Sequence, residues 1–226
     1  ELNISPGQNL LDVGSGSGAI DRWLAGRTKG ANQITGVDVN AYLIGEARDL
    51  VRRQGLDGII RFEKASALEL PFPDASFDRV FSSTVMEELD ADRMLAELVR
   101  VTRPGGQVAV ITRAVDMGRL VNLPVGTQLK ARLEAPGGGG LDPLGCADAS
   151  LYGRFARAGL EQVRKIPQIA AFGDAGGAYE QSVIGMLFGS LDATENAEAR
   201  AALAKSREDG SFVVTAPFHG ALGTKK

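Results

Sequence analysis

The chain has 226 residues, 44% of them hydrophobic, which is enough to bury one sizeable core and makes a single domain over residues 1–226 the expectation. A formal net charge of -3 and a pI near 5.3 leave no positive field for counterion release on a nucleic-acid backbone, and no Lys or Arg run supplies a local one, so no nucleic acid is expected as a partner. Cys146 is the only cysteine, which excludes an internal disulfide and any cysteine-built zinc or iron-sulfur site and suits a reducing, cytoplasmic setting.

No membrane span is expected, because the longest apolar candidate, "SVIGMLFGSL", is about half of the roughly 20 residues a span requires, and nothing at the start resembles a signal peptide. The chain opens at Glu1 without a Met, a few residues before its first strand, which points to a preceding segment outside this sequence.

From Asn9 to Thr112, short apolar runs of β type alternate with amphipathic stretches of helical period. In chain order they read as a strand "NLLDV", a helix Ala19 to Arg27, a strand "QITGV", a helix Ala41 to Gln54, strands "IIRFEKA" and "DRVFSS", a helix Ala91 to Thr102 and a strand "QVAVIT". "RPGG", Arg103 to Gly106, reads as the turn between the last helix and strand. That rhythm predicts a doubly wound, Rossmann-like α/β sheet with a motif core over residues 9–112.

After Thr112 the rhythm breaks. Residues 113–148 carry "NLP", a helix near Gln128 to Glu134 and the run "PGGGGLDPLG", which reads as a flexible linker because no strand feeds it and no helix follows it directly. "ADASLYGRFARAGL" restores a capped helix, and "EQVRKIPQIAAF" reads as another strand. A second excursion, residues 173–210, holds helical stretches at Tyr179 to Leu191 and Glu195 to Ser206, and "SFVVTAPFHGALGTK" closes the chain as a last strand.

Gly14, Gly16 and Gly18 fall where the first strand turns into the first helix, a place where the backbone must bend tightly and let a ligand approach without Cβ interference. Read as G-x-G-x-x-[GA], the glycines with Ala19 also satisfy a dinucleotide fingerprint, with Asp38 about 20 residues on at the ribose. The glycines alone decide nothing. Asp12 does: a carboxylate beside the loop is unfavourable for a diphosphate at a helix N-terminus and complements a ligand bearing an ammonium and a sulfonium. S-adenosylmethionine is such a ligand, with no phosphate and a ribose that Asp38 can grip.

"LLDVGSGSG", "GVDVN", "ALELPFPDASFDRVFSS" and "LAELVRVTRPGGQVAV" together resemble the successive motifs of the class I S-adenosylmethionine-dependent methyltransferases, in the small-molecule branch similar to the quinone-biosynthesis methyltransferases. The resemblance covers roughly Leu10 to Thr112. It implies a seven-stranded sheet whose last strand runs antiparallel between the fifth and sixth, and S-adenosylhomocysteine as product. It also implies that Asp12, Gly14, Ser15 and Gly16 surround the methionine part, that Asp38 holds the ribose and that Val39 packs on the adenine. Ser66 and Ala67 match the place of an acidic and a small residue at the adenine amino group, so the Ser66 contact is expected to be weaker or water-mediated. Ser82 and Ser83 would lie near the methionine end and the transferred methyl.

One departure concerns the chemistry. Where the family commonly shows a His after the fourth strand, this chain reads "VMEEL", with Glu88 in that place. A carboxylate there is suited to accept a proton from a nucleophile, steady a developing cation or bind an amine, and makes Glu88 the candidate catalytic residue; otherwise Glu87 and Glu88 favour the start of the next helix and face water. His219, the only histidine, is expected at the edge of the sheet opposite the cofactor, and Trp23 is read as packing on the sheet with Ile20 and Leu24. Asp74 and Asp78 read as turn and strand-start residues, no metal site is called, and Cys146 reads as a small loop residue.

Arg113, Met117, Leu123, Tyr179, Met186 and Phe188, in the insertions 113–148 and 173–210, are suited to form a lid for a small, largely hydrophobic acceptor, and equally to plain packing or a homodimer contact. The rival readings are an NAD(P)-binding Rossmann oxidoreductase and a non-catalytic cofactor-binding module. The chain carries no Asn-Pro-Pro-Tyr type motif of amide or adenine methylases and no Pro-Cys pair of cytosine methylases.

Overall fold

In the computed structural model, residues 2–137, 141–172 and 177–226 are described. The run "NLLDV" forms strand β1 (Asn9–Val13), followed by helix α1 (Ala19–Arg27), β2 (Gln33–Asp38), α2 (Ala41–Arg53), β3 (Ile60–Lys64) and β4 (Phe77–Ser83). A single 3-10 turn, Met86–Glu88, leads to α3 (Ala91–Val101) and β5 (Thr102–Arg113). Then come α4 (Thr127–Glu134), α5 (Ser150–Arg157), β6 (Leu160–Lys165), β7 (Gln168–Phe172), α6 (Ala178–Gly189), α7 (Ala193–Glu208) and β8 (Val214–Lys225).

The chain divides into two compact units. The first comprises Glu1–Thr112, Gly140–Ile166 and His219–Lys226. Its strands alternate side chains between two apolar layers, as a period of two requires. Leu10 packs with Leu24 and Ala25 of α1 and Ile44, Ala47 and Val51 of α2, while Leu11 and Val13 pack with Met94, Leu95 and Leu98 of α3 and Leu151 and Phe155 of α5. Each such fully buried Leu or Phe contributes about 1.5–3 kcal/mol. Helix α2 starts because Asn40 accepts the N–H groups of Tyr42 and Leu43, and α3 because Asp90 accepts that of Arg93.

The sheet runs β3-β2-β1-β4-β5-β8-β6, with β7 also paired to β8. β1 pairs in parallel with β2 on one side and β4 on the other, so the order reverses there, and the crevice at the carboxyl ends of β1 and β4 is the place where open α/β sheets bind ligands. The expected antiparallel last strand lies between β5 and β6. An eighth strand arises because "EQVRKIPQIAAF" is divided at Pro167, which has no N–H to donate, into β6 and β7; both pair with β8, β6 with its second half and β7 with its first.

"RPGG" is not a turn between helix and strand. α3 ends at Val101 and Thr102 at once pairs with Phe77, while the next paired couple is Arg79 and Gln107, so Arg103–Gly106 bulge within β5. Arg103 braces that bulge against Asp78, at 2.9 Å, and the Ala75 carbonyl, at 3.2 Å. Asp78 also accepts the Asn9 N–H at 2.8 Å, in keeping with a strand-start role. Burial raises its carboxyl, but the Asn9 N–H and Arg103 outweigh that and hold it below the usual range.

The second unit comprises Arg113–Gly139 and Pro167–Phe218. It has an apolar core of its own, in which Val121, Leu123 and Leu129 meet Leu187, Phe188 and Leu203. α7 opens on a capping box, Asp192 accepting the N–H groups of Thr194 and Glu195 while the Glu195 carboxylate accepts that of Asp192. The helices expected near Gln128, Tyr179 and Glu195 are α4, α6 and α7. Gly138 to Gly140 of the glycine run, Gly173 to Gly176 at the start of the second excursion, and the Tyr179 side chain lie outside the described residues.

Candidate cofactor and active site

β1 ends at Val13, and the chain turns over Gly14–Gly18 into α1. The N–H groups of Gly14 and Ser15 both donate to the Val37 carbonyl, at 2.7 and 2.9 Å, pinning the loop to the end of β2. Gly14 has φ 82°, and a Cβ there would lie 2.1 Å from Val85 Cγ2, so the loop rests against the turn after β4 with no room for a side chain. Gly16 has φ 54°, but a Cβ there would meet nothing within 4 Å: the crest of the loop borders open space.

Asp12 is 1% exposed. Across the sheet its neighbours are Gly36 on β2 and Phe81 on β4, neither of which has a side chain that can donate. Among the described residues no donor reaches either carboxyl oxygen of Asp12, nor the Ser15 hydroxyl, which is also buried. Asp21, 0% exposed in the first turn of α1, is in the same position, so the hydrogen bond open to these two carboxyl groups is the one between them, through a shared proton. Burial, then the nearby Asp21 and Asp38, push the Asp12 carboxyl well above the usual carboxylate range. Burial pushes Asp21 up to about 7, against the opposing pull of its own backbone N–H and of Arg22.

Asp38, at the end of β2, accepts the Gly16 N–H at 2.9 Å through one oxygen and the Asn40 N–H at 2.8 Å through the other. Each oxygen keeps a lone pair for a further donor. Val39 beside it is 70% exposed, an apolar surface left uncovered at the sheet's carboxyl edge. The Ala65 N–H donates to the Asp38 carbonyl at 3.1 Å, which brings Ser66 and Ala67 to the same edge; Ser66 is exposed and its hydroxyl accepts the Leu68 N–H at 3.2 Å. Ser82 is buried, and its hydroxyl donates to the Val13 carbonyl at 2.6 Å.

Asp12, Gly14, Ser15, Gly16, Asp38 and Ser82 are thus gathered around one loop, with Val39, Ser66 and Ala67 on the adjoining ends of β2 and β3. Glu88 closes the 3-10 turn after β4 and is exposed. Its neighbour Glu87 does not face water: it is 0% exposed, with its backbone carbonyl accepting the Asp142 N–H at 3.0 Å. Adjacent residues of a three-per-turn helix point in different directions, which is why one glutamate is buried and the next is not.

Two further expectations are corrected. Trp23 is 64% exposed and Ile20 is exposed too, because the buried stripe of α1 is Asp21, Leu24 and Ala25. His219 does not lie at the edge opposite the loop. Gly220 and Ile166 exchange N–H to carbonyl bonds just past the carboxyl end of β6, which places His219 at the same edge as the carboxyl ends of the parallel strands. It is buried there, with Nδ1 2.9 Å from the Tyr152 hydroxyl. Asp21 is the buried carboxyl beside Asp12 that sequence reasoning missed. Its signal was its place at the head of the i, i+3, i+4 stripe with Leu24 and Ala25.

Three buried oxygens without a partner, on Asp12 and Ser15, beside a loop that borders open space, suit a ligand that brings its own donors. A buried carboxyl pair in place of a lysine or arginine does not suit a diphosphate. Among the described residues no helix is long and apolar enough to cross a membrane, and no group of three or more His, Cys, Asp or Glu is arranged to hold a metal.

Residues 11–110 match the methyltransferase domain family. The chain is 41% identical over 110 residues to methyltransferase GfsG of Streptomyces halstedii, covering 48% of this chain and 39% of that protein. It is 33% identical over 107 residues to the ubiquinone/menaquinone biosynthesis C-methyltransferase UbiE of Vibrio parahaemolyticus, covering 47% and 41%. A geranyl diphosphate methyltransferase solved in complex with S-adenosylmethionine shares the fold, with a TM-score of 0.57 and 19% identity over 99% of this chain and 80% of that one. The family match is confined to residues 11–110, and the likeness to the solved structure is one of fold. The matched stretch spans about two-fifths of the length of these two curated relatives, 39% and 41%.

Proposed function

We propose that the chain binds S-adenosylmethionine over the carboxyl ends of β1, β2 and β4 and transfers its methyl group to a small, largely hydrophobic acceptor. The observation that carries this reading is the unpartnered, buried Asp12 carboxyl beneath a glycine loop that borders open space.

In this reading Asp12, Gly14, Ser15 and Gly16 hold the methionine end, Asp12 facing its ammonium. Asp38, already oriented by the Gly16 and Asn40 N–H groups, accepts from the ribose hydroxyls with the lone pairs it has left. Val39 supplies an apolar surface for the adenine, with Ser66 and Ala67 at its edge. Ser82 fixes the floor under the loop through Val13. When bound, the cofactor supplies a methyl group on a cationic sulfur, open to in-line displacement by a nucleophile. The protein's share is alignment, exclusion of water and handling of one proton, for which Glu88 is the proposed acceptor.

The insertions 113–148 and 173–210 are the proposed source of acceptor selectivity. Leu120, Ile169 and Met186 are exposed apolar side chains in them or at their border, which suits a hydrophobic acceptor and equally a second copy of the chain.

Calorimetric titration with S-adenosylhomocysteine and with NAD+ tests the reading. Binding of the first and not the second is expected; the reverse would replace the methyltransferase with an oxidoreductase. Transfer of a labelled methyl to a panel of small hydrophobic alcohols, amines and enols then tests the activity, and binding without transfer to any of them would favour a non-catalytic module.

A further inference from the structure

β1 points Leu10 and Asp12 to the face covered by α1, and α1 turns Asp21, not an apolar residue, onto that face at the head of its buried stripe. Both carboxyl groups lie fully inside the protein, and no donor from any other described residue reaches them. A Leu at position 21 would complete the stripe with Leu24 and Ala25. A second acid instead adds a desolvation cost that only its own backbone N–H and a bond to Asp12 can offset. Two carboxylates so close in a dry site do not both ionise, and a shared proton resolves the conflict.

We infer that Asp21 is a positioning residue for the cofactor: it holds the Asp12 carboxyl toward the glycine loop through a shared proton, and the pair releases a proton when the cofactor's ammonium group docks against Asp12. This rests on the proposed placement of the cofactor at the glycine loop. The charged groups near the pair are Asp38 at the end of β2, which favours retention of protons, and Arg22 on α1, which favours their loss. Arg22 is itself anchored to the Ser17 carbonyl, within the loop.

Burial pushes Asp21 up to about 7 and Asp12 well above the usual carboxylate range, so in the free protein both carboxyl groups are protonated below neutrality. With an ammonium group against Asp12, the singly protonated form, carrying its proton on Asp21 and its charge on Asp12, prevails at lower pH. The released proton goes to solvent. Binding below neutrality therefore expels close to one proton, and binding above it expels few, because the pair has then lost that proton already.

The test is calorimetric titration of the full chain with S-adenosylhomocysteine, in pairs of buffers of different ionisation enthalpy, at about pH 6 and about pH 8. This counts protons per ligand bound. Wild type is expected to release about one proton at the lower pH and well under half of one at the higher. Asp21→Asn supplies an amide donor to an ionised Asp12. It is expected to bind within about threefold of wild type at the higher pH and to release almost no proton at either, which also cancels any titration of the ligand itself. Asp21→Leu leaves Asp12 without its partner and is expected to bind at least about tenfold more weakly, ~1.4 kcal/mol.

Tight binding by wild type with equal proton release at both pH values would overturn the inference and leave the cofactor reading standing. So would Asp21→Leu binding as tightly as wild type. The wild-type proton count needs no variant to fold. Failure of wild type to bind the ligand in any buffer would remove the cofactor reading, and this inference with it.

Discussion

The Ser82 hydroxyl donates to the Val13 carbonyl at 2.6 Å, joining β4 to β1 one residue before the glycine loop begins. The bond is buried, so its loss is not made good by water. Ser82→Ala is expected to cost about 1–2 kcal/mol in urea-induced unfolding and to weaken S-adenosylhomocysteine binding severalfold, through a less firmly held loop. A variant with unchanged stability and affinity would show that the hydroxyl is incidental.

Asp38 ties the loop to β2 through the Gly16 N–H at 2.9 Å while keeping lone pairs for a ligand. Asp38→Ala removes both functions, and hydrogen bonds to charged acceptors are worth about 1.5–3 kcal/mol. S-adenosylhomocysteine affinity is expected to fall by about 10- to 100-fold, with Asp38→Asn in between because an amide oxygen still accepts from Gly16. Equal affinity of Asp38→Ala and wild type in calorimetry would place the ribose elsewhere.

The glycines of the loop separate packing from ligand space. A Cβ at Gly14 would lie 2.1 Å from Val85 Cγ2 on a backbone at φ 82°, so Gly14→Ala is expected to destabilise the fold by about 2–4 kcal/mol. A Cβ at Gly16 meets no protein atom within 4 Å at φ 54°, so Gly16→Ala costs about 1 kcal/mol of folding. Its methyl instead enters the proposed cofactor space. Urea unfolding and calorimetry together are expected to find Gly14→Ala the less stable and Gly16→Ala folded but poor at binding.

The parts of this molecule that were legible in the sequence are those governed by local period and spacing. The alternation from Asn9 to Thr112 placed β1 to β5 and α1 to α3, because an apolar period of two or 3.6 has few other uses. Asp12, Gly14, Ser15, Gly16 and Asp38 could be read as one site because a strand, a tight loop and a second parallel strand must bring them together. What failed depended on choices between equivalent local patterns. On α1, Ile20, Trp23 and Leu24 make as good a helical stripe as Asp21, Leu24 and Ala25, and the acid in the second concealed it. Glu87 and Glu88 are adjacent and chemically alike, so only the geometry of the 3-10 turn separates the buried one from the exposed one. His219 was misplaced because β8 is longer than a typical strand and its pairing with β6 reaches only to Ala221, so His219 falls just beyond the carboxyl end of β6. The length of a strand is set by partners distant in sequence, here β6 and β7, and no local pattern reports it.

Because Trp23 is exposed on α1, Trp23→Ser is expected to change the urea unfolding free energy by no more than about 0.5 kcal/mol, where a tryptophan packed on the sheet would cost several. A large loss in this chain would mean that its ring is covered by something in solution.

The raised Asp21 carboxyl makes the stability of the fold fall as pH rises. That carboxyl is pushed up to about 7 in the folded protein from an ordinary 3.8, so between these values the folded chain holds a proton that the unfolded chain has lost. The contribution to stability is fully present below about pH 4 and is lost as pH rises through about 7, with a slope of up to about 1.4 kcal/mol per pH unit. Asp21→Asn removes the titrating group and with it this slope. Urea midpoints of wild type and Asp21→Asn, taken without ligand at about pH 5 and about pH 7.5, are expected to converge or cross toward the higher pH, the wild type losing more stability between the two. Parallel pH dependences would mean that Asp21 carries no extra proton in the fold.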